Sequence, residues 1–425
     1  MPELMAGNRV FLDSAGVTWE ELASRAMERG LGGGSASRIP RVAIIARDNA
    51  AAFEAVAVMA RDRLDAVLLG YDRFSEGIRT LLVGSGYEVI EYPGSSTIAA
   101  SGERVSNTMG RVGLLTSGTT GNPKLIRHTW ETLFTVERAT SHERRCWLIP
   151  YQVGTYAWFQ LVTMGLFVAG QDLVPLKSEV SGAAFVETVF EYGVDCVSST
   201  PTLWRLAFLE VPIQRLEEMQ LRQITLGGEI IDQALLDRLR NLFPKTRISQ
   251  VYASSEAGAC IVVQDGKAGF PARMLDATSA NAVQLKIQDG RLWVRSRKSM
   301  AAALGNNLQW IDTGDRVEQI GDRVFFLGRV EEGVINVGGT KLRAREIEEV
   351  ILQHPSVLWC RVHPLRAPLV GNLPEADFVV TPKCLPPSDT ELMAHCRGRL
   401  PEEGIPRFWN RLDSIPIQPS LKAKL

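Results

Sequence analysis

The sequence predicts an α/β protein: a large N-terminal domain of parallel-rich sheets covered by helices, a small β-rich subdomain within it, and a small α+β domain at the C-terminus. Three observations carry this expectation. Short apolar runs rich in β-branched residues alternate with helix-period segments through most of the first 330 residues. From about residue 283 the period shortens to two, around Asp-Gly and Gly-Asp turns. At 425 residues the chain is also too long for one ordinary core.

The elements follow in order. "RVAIIA" (41–46), "DAVLLG" (65–70), "RVGLLT" (111–116), "DCVSST" (195–200) and "RQITL" (222–226) are the expected strands of the α/β part. Among the expected helices, "DQALLDRLRNLF" (232–243) puts Leu235, Leu236, Leu239, Leu242 and Phe243 on one face, with Asp232 as its cap. "VQLKIQDGRLWVRS" (283–296) and "DRVFFLGRV" (322–330) read as hairpin strands. A compact α+β pattern follows: "GVINVGG", a helix "AREIEEVILQH" ended by Pro355, a strand "VLWCRVH", and a helix within "DTELMAHCRGRL". The expected domains are therefore 1–329, with its β-rich part at about 283–329, and 330–425, joined inside "GRVEEG".

Composition removes several classes of function. With 47 Lys+Arg against 48 Asp+Glu the net charge is -1, which provides no field suited to nucleic acid or an anionic membrane. Cys146, Cys196, Cys260, Cys360, Cys384 and Cys396 are scattered, without a Cys-x-x-Cys pair, as in reduced cytoplasmic proteins. The start lacks the basic and apolar regions of a secretory signal, and the longest apolar stretch, "WFQLVTMGLFVAG" (158–170), falls short of the ~20 residues a spanning helix needs. A soluble, cytoplasmic protein without metal clusters is expected.

One stretch calls for a ligand. In "LLTSGTTGNPKLI" (114–126) an apolar strand runs into Thr116, Ser117, Gly118, Thr119, Thr120 and Gly121, and then Lys124. Placed between that strand and a helix marked by Trp130, Leu133 and Phe134, such a loop offers several N–H groups to one point, a nest for phosphate oxygens, and Lys124 adds a mobile cation. The spacing is not that of a Walker loop. By itself the loop also reads as a tight surface turn.

The loop has company. "TSGTTGNPK" resembles the phosphate loop of the adenylate-forming superfamily, which comprises acyl- and aryl-CoA ligases, luciferases and the adenylation domains of peptide synthetases; the chain is most similar to a short acyl-CoA ligase. Further matches come in the family's order: "VTWEEL" (17–22), "GGE" (Gly227, Gly228, Glu229) where the family packs adenine, "YASSE" (Tyr252, Ala253, Ser254, Ser255, Glu256), "DTGD" (312–315), "GR" (Gly328, Arg329) and "VGGTKLRAREIE" (337–348). Ala253 and Ser255 depart from the family's glycine and threonine.

The resemblance implies binding of ATP and Mg²⁺. Glu256 is then the metal ligand, a hard carboxylate oxygen suited to the ion; Asp315 accepts from the ribose hydroxyls, Tyr252 offers an aromatic face to adenine, and Arg329 a planar donor fork near the ribose. Lys422, six residues after Pro416, matches the family's catalytic lysine, although Leu421 replaces the usual glycine; Lys424 is the alternative. The acyl pocket falls in "IPYQVGTYAWFQLVTMG" (149–165), with Val153, Tyr156, Ala157 and Trp158 as its lining. The family's His is replaced by Gln152 or Val153, and the segment lacks the aspartate that holds an α-amino group. Gly338 and Gly339 match the glycine pair beside the pantetheine arm, and Glu331 the pivot of a mobile C-terminal domain.

The implied activity is adenylation of an aryl or acyl carboxylic acid with pyrophosphate release, then transfer to CoA or a phosphopantetheinyl carrier protein. An amine acceptor, or a non-catalytic nucleotide binder, are the alternatives. About 115 residues precede the phosphate loop, roughly fifty fewer than in relatives, so parts of the pocket are expected to come from elsewhere.

Overall fold

The computed structural model describes residues 5–31, 41–94, 110–117, 123–135, 143–176, 180–277, 283–303, 308–329, 334–337, 340–367 and 371–418. Within them the protein is α/β, with four sheets.

Helix α1 (Trp19–Glu28) opens on a capping box: the Thr18 hydroxyl accepts from the Glu21 backbone N–H, and the Glu21 carboxylate accepts from the Thr18 N–H. This explains "VTWEEL" as a helix start. Strands β1 (Val42–Ala46) and β2 (Ala66–Gly70) are buried along their whole length, and helix α2 (Asn49–Asp62) connects them. Strands β3 (Glu88–Tyr92), β4 (Arg111–Ser117) and β5 (Pro123–Thr129) complete a sheet in the order β3-β1-β2-β4-β5. All neighbours run parallel except β4 and β5, which pair antiparallel with Thr116 opposite Lys124 and Ser117 opposite Pro123.

That last pairing corrects the expected strand-to-helix loop. Seven residues of strand intervene before the short helix α3 (Trp130–Leu133), so the Gly/Thr stretch joins two antiparallel strands and no helix N-terminus faces it. The correction has a physical cause: "LIRHT" alternates intermediate and buried residues with period two, and the antiparallel partner satisfies its backbone.

The second sheet contains β6 (Arg145–Ile149), β7 (Gln171–Pro175), β8 (Cys196–Ser199), β9 (Gln223–Gly227), β10 (Arg247–Ser254) and β11 (Gly258–Val263), in the order β11-β10-β9-β8-β6-β7. Two short strands, Arg9–Val10 and Val17–Thr18, extend its far edge. Helix α4 (Tyr156–Phe167) links β6 to β7; α5 (Pro201–Glu210) follows β8, and α6 (Gln233–Leu242), capped by Asp232 as expected, follows β9.

One apolar core joins these two sheets, with α2 and α4 inside it. Residues Ala51–Ala60 of α2 are all buried, which requires a helix apolar on every side and largely built of alanine. Its one interior carboxylate, Glu54, accepts hydrogen bonds from the Tyr92 hydroxyl (2.6 Å) and from Arg29 (3.1 Å). A buried carboxylate without such partners would cost several kcal/mol.

The β-rich part is an antiparallel sheet of β12 (Gln284–Gln288), β13 (Arg291–Arg295), β14 (Ile311–Ile320) and β15 (Arg323–Arg329), edged by Phe270–Pro271. Asp289 and Gly290 both have positive φ, as a tight hairpin turn demands. The last sheet is β16 (Val334–Val337), β17 (Thr340–Arg343), β18 (Val357–Ala367), β19 (Gly371–Val380) and β20 (Phe408–Leu412), with α7 (Ala344–Leu352) and α8 (Asp389–Cys396) packed in its core. It meets the rest through Trp359, Val379 and Ile415 packed on Leu206 of α5.

Segment 150–155 lies directly on β2. Gly154 has φ of +78°, and a Cβ there would come 1.9 Å from the Leu68 carbonyl oxygen. Gly154→Ala is therefore expected to cost at least about 2 kcal/mol, measured as a lowered midpoint of thermal unfolding; an unchanged midpoint would show that the contact is absent.

Candidate active site

The residues assigned by sequence converge where three sheets meet. Parallel pairing of β9 with β10 sets Gly227 beside Val251, so both strands deliver their C-terminal ends to one place. Gly227 is constrained there, since a Cβ would lie 2.9 Å from the Val251 oxygen, and Gly228 has φ of +82°. A register shift between Tyr252 and Ala253 ends regular pairing with β11. Beyond it Ser254 accepts from the Ala257 N–H (3.0 Å) and folds Ser254–Ala257 into a turn.

His128 fixes that turn. It is fully buried on β5, its Nε2 donating to the Ser255 carbonyl over 2.7 Å while Nδ1 lies 3.0 Å from the Thr132 hydroxyl. The imidazole thus ties the strand after the Gly/Thr loop to the turn that carries Glu256. Two more bonds draw in the β-rich sheet: the Met300 N–H donates to the Glu256 carbonyl (2.8 Å), and Lys298 Nζ donates to the carbonyls of Glu131 (3.1 Å) and Phe134 (2.8 Å), at the end of α3. Glu256 itself is half-buried, and its carboxylate makes no ion pair with a described residue.

Tyr252 and Asp315 come together from β10 and β14. The tyrosine hydroxyl donates to Asp315 Oδ2 (2.5 Å), and Arg329 Nε, opposite on β15, reaches Oδ1 (3.1 Å). Asp315 and Arg329, expected as separate contacts, are partners of each other. Phe326 stacks on Tyr252 at 4.6 Å between ring centroids, so one face of that ring is already covered. Burial and the neighbouring Asp315 carboxylate raise the Tyr252 pKa well above its usual value and keep the phenol a donor.

Other expectations fare differently. Glu229 accepts from the backbone N–H (2.9 Å) and hydroxyl (2.8 Å) of Thr202 in the first turn of α5, so its carboxylate braces that helix start. Trp158, expected in the acyl pocket, is 1% exposed and packs against Phe53 and Phe159 at 5.4 and 5.0 Å; it belongs to the core. The reason is that α4 is apolar all round and enclosed. Tyr156 is buried beside His128 (5.8 Å), while Val153 and Ala157 are half-buried. Thr116 is half-buried at the end of β4, next to Ser117, and Lys124 is exposed opposite it. Gly118, Thr119, Thr120, Gly121, Glu331, Gly338, Gly339, Lys422 and Lys424 lie outside the described residues. A cleft of about 460 Å³ between α6 and the C-terminal sheet, lined by residues such as Arg238, Leu352 and His354, includes none of the candidates.

Sequence reasoning missed His128 and Lys298. The signal for His128 was present: with Ile126 and Trp130 it continues a period-two buried face.

Comparison with known proteins agrees with this geometry. Residues 105–302 match the family described as AMP-binding enzyme. Among relatives, the 2-succinylbenzoate–CoA ligase of Bacillus velezensis is 27% identical over 342 residues, covering 73% of this chain and 66% of the ligase. The fatty acid–[acyl-carrier-protein] ligase of Streptomyces coeruleorubidus is 25% identical over 345 residues, covering 73% and 65%. A variant of E. coli MenE with bound OSB-AMS shares the fold at a TM-score of 0.73 and 18% identity, over 96% of this chain and 92% of that one. The chain belongs to the adenylate-forming superfamily. It spans less than two thirds of the length of these first curated relatives. No helix among the described residues is long and apolar enough to cross a membrane.

Burial, the main cause, lowers the His128 pKa from 6.5 to about 4. The unfolded ring takes up its proton first, so stability falls as the pH drops from about 6.5 to about 4, by up to ~3 kcal/mol. Above pH 7 this contribution is constant. In denaturant titrations the stability gap between wild type and His128→Gln should therefore shrink from pH 7 to pH 4.5; a constant gap would contradict the buried neutral ring.

Proposed function

We propose that this chain activates a carboxylic acid, aryl or acyl and not an α-amino acid, by adenylation with ATP, and passes the acyl group to the thiol of CoA or a carrier protein. The observation that carries the reading is the turn Ser254–Ala257, pinned by His128 and presenting a half-buried Glu256 carboxylate without an ion-pair partner among the described residues. The relatives' thioester-forming activities and the matched family support the same class.

Glu256 would hold Mg²⁺, and the donor set suits that ion. Among the described residues no three His, Cys, Asp or Glu form a metal cage, and Mg²⁺ is commonly held by one or two carboxylates plus phosphate oxygens and water. When bound, the ion neutralises charge on the phosphates as the acid attacks. The protein's own share is positional. Thr116 and Ser117 end β4 beside the loop that would cradle the phosphates, with Lys124 as its cation. Asp315 would exchange the Tyr252 and Arg329 contacts, or share them, with ribose hydroxyls, and the Gly227–Gly228 strand end would admit the base close to the backbone. Lys422 would bridge the acid and the α-phosphate; Gly338 and Gly339 would line the thiol's path; Glu331 would be the pivot of residues 330–425. The six free cysteines suit a reducing cytoplasm.

The test is a pyrophosphate-release assay over a panel of carboxylic acids, with CoA, a carrier protein and amines added in separate arms. Release that depends on one acid, followed by consumption of the acyl-AMP by a thiol, is expected; ADP formation would overturn the reading. Glu256→Gln should lower kcat/KM by about 100-fold or more, and Asp315→Asn should raise the KM for ATP by roughly tenfold. Lys422→Ala should abolish adenylation while sparing the consumption of supplied acyl-AMP.

A further inference from the structure

The turn after β2, Tyr71–Arg73, reaches the junction between the Gly/Thr loop and the pocket segment. Arg73 donates from Nη2 to the Leu115 carbonyl (2.9 Å) on β4 and from Nη1 to the Val153 carbonyl (3.2 Å). One guanidinium therefore spans the strand that ends in the phosphate loop and the segment that enters the pocket. The planar, rigid fork suits this task, because it holds two acceptors in fixed directions. Beside it the Asp72 carboxylate accepts from the Gln152 side-chain amide (2.8 Å), so Gln152, at the position where a histidine was expected, turns toward Asp72. Gly154 completes the seating, pressed on the Leu68 carbonyl.

Arg73 makes no ion pair within 4 Å among the described residues, and burial lowers its pKa, the nearby Asp72 acting in the opposite direction. Keeping a half-buried guanidinium on two neutral carbonyls is a costly way to brace a loop. A positive charge at that junction, however, favours an approaching carboxylate as well as fixing the carbonyls.

We infer that Arg73 is a positioning residue for the carboxylic acid: it couples the pocket segment 150–155 to the end of β4, and so aligns the acid with the phosphate loop. The inference rests on the proposed adenylation, and it gives the short N-terminal part of the chain a role in the pocket.

Two variants test it. Arg73→Met should raise the KM for the preferred acid tenfold or more, with the KM for ATP changed less than twofold. Arg73→Lys, which keeps the charge and one donor direction, should recover part of the loss. A parallel rise in both KM values, or no change in the acid KM, would overturn the assignment. Hydrogen exchange on the same proteins needs no turnover: Arg73→Met should speed exchange at 150–155 and 113–117 while leaving β8 and β9 as in wild type. Unchanged exchange there overturns the coupling by itself. A wild type without acid-dependent pyrophosphate release overturns the proposed function, and with it the acid-specific half of this inference, while the exchange result still decides whether Arg73 joins the two segments.

Discussion

A single buried hydrogen bond, from His128 to the Ser255 carbonyl, holds the candidate site together. β5 is the edge of the first sheet, and β10 is one strand in from the edge of the second. Nothing in the pairing of either sheet joins those two strands, so the imidazole supplies the link. Its full burial matters, because a hydrogen bond shielded from water keeps its strength and its direction. Thr132, on the other ring nitrogen, fixes the ring's orientation. The turn carrying Glu256 thus has one position relative to the strand leaving the Gly/Thr loop.

Around that bond the β-rich sheet is tied in by main-chain contacts. The Glu256 carbonyl receives Met300, and Lys298 closes the C-terminal carbonyls of α3. These bonds leave the Glu256 carboxylate out of the bracing. The same division appears at Asp315, where the neighbours Tyr252 and Arg329 are mobile-tipped side chains that a polyhydroxyl ligand can displace. Where a carboxylate is instead committed to structure, as Glu229 is to Thr202, it bonds to a helix start that would otherwise leave a backbone donor unpaired.

The pocket side is governed by steric seating rather than charge pairing. Gly154 on Leu68, Arg73 on Val153, and the enclosure of Trp158 together mean that segment 150–155 is placed by contacts from β2 and the core. What a substrate meets there is set by the backbone of that segment and by the half-buried Val153 and Ala157.

Sequence alone determined the α/β class, the strands from "RVAIIA" to "RQITL", the cap at Asp232, the hairpin turn at Asp289–Gly290 and the list of residues that meet at the site, because each depends on local periodicity, turn chemistry or an ordered motif. Only the tertiary structure decided that the Gly/Thr loop is a hairpin, that Trp158 is core, that Asp315 and Arg329 pair, and that His128, Lys298 and Arg73 bind distant segments. The physical reason is distance along the chain. His128 and Ser255 are separated by 127 residues, and Arg73 and Val153 by 80. No local pattern encodes such a contact, since it exists only once sheets built independently pack edge to edge.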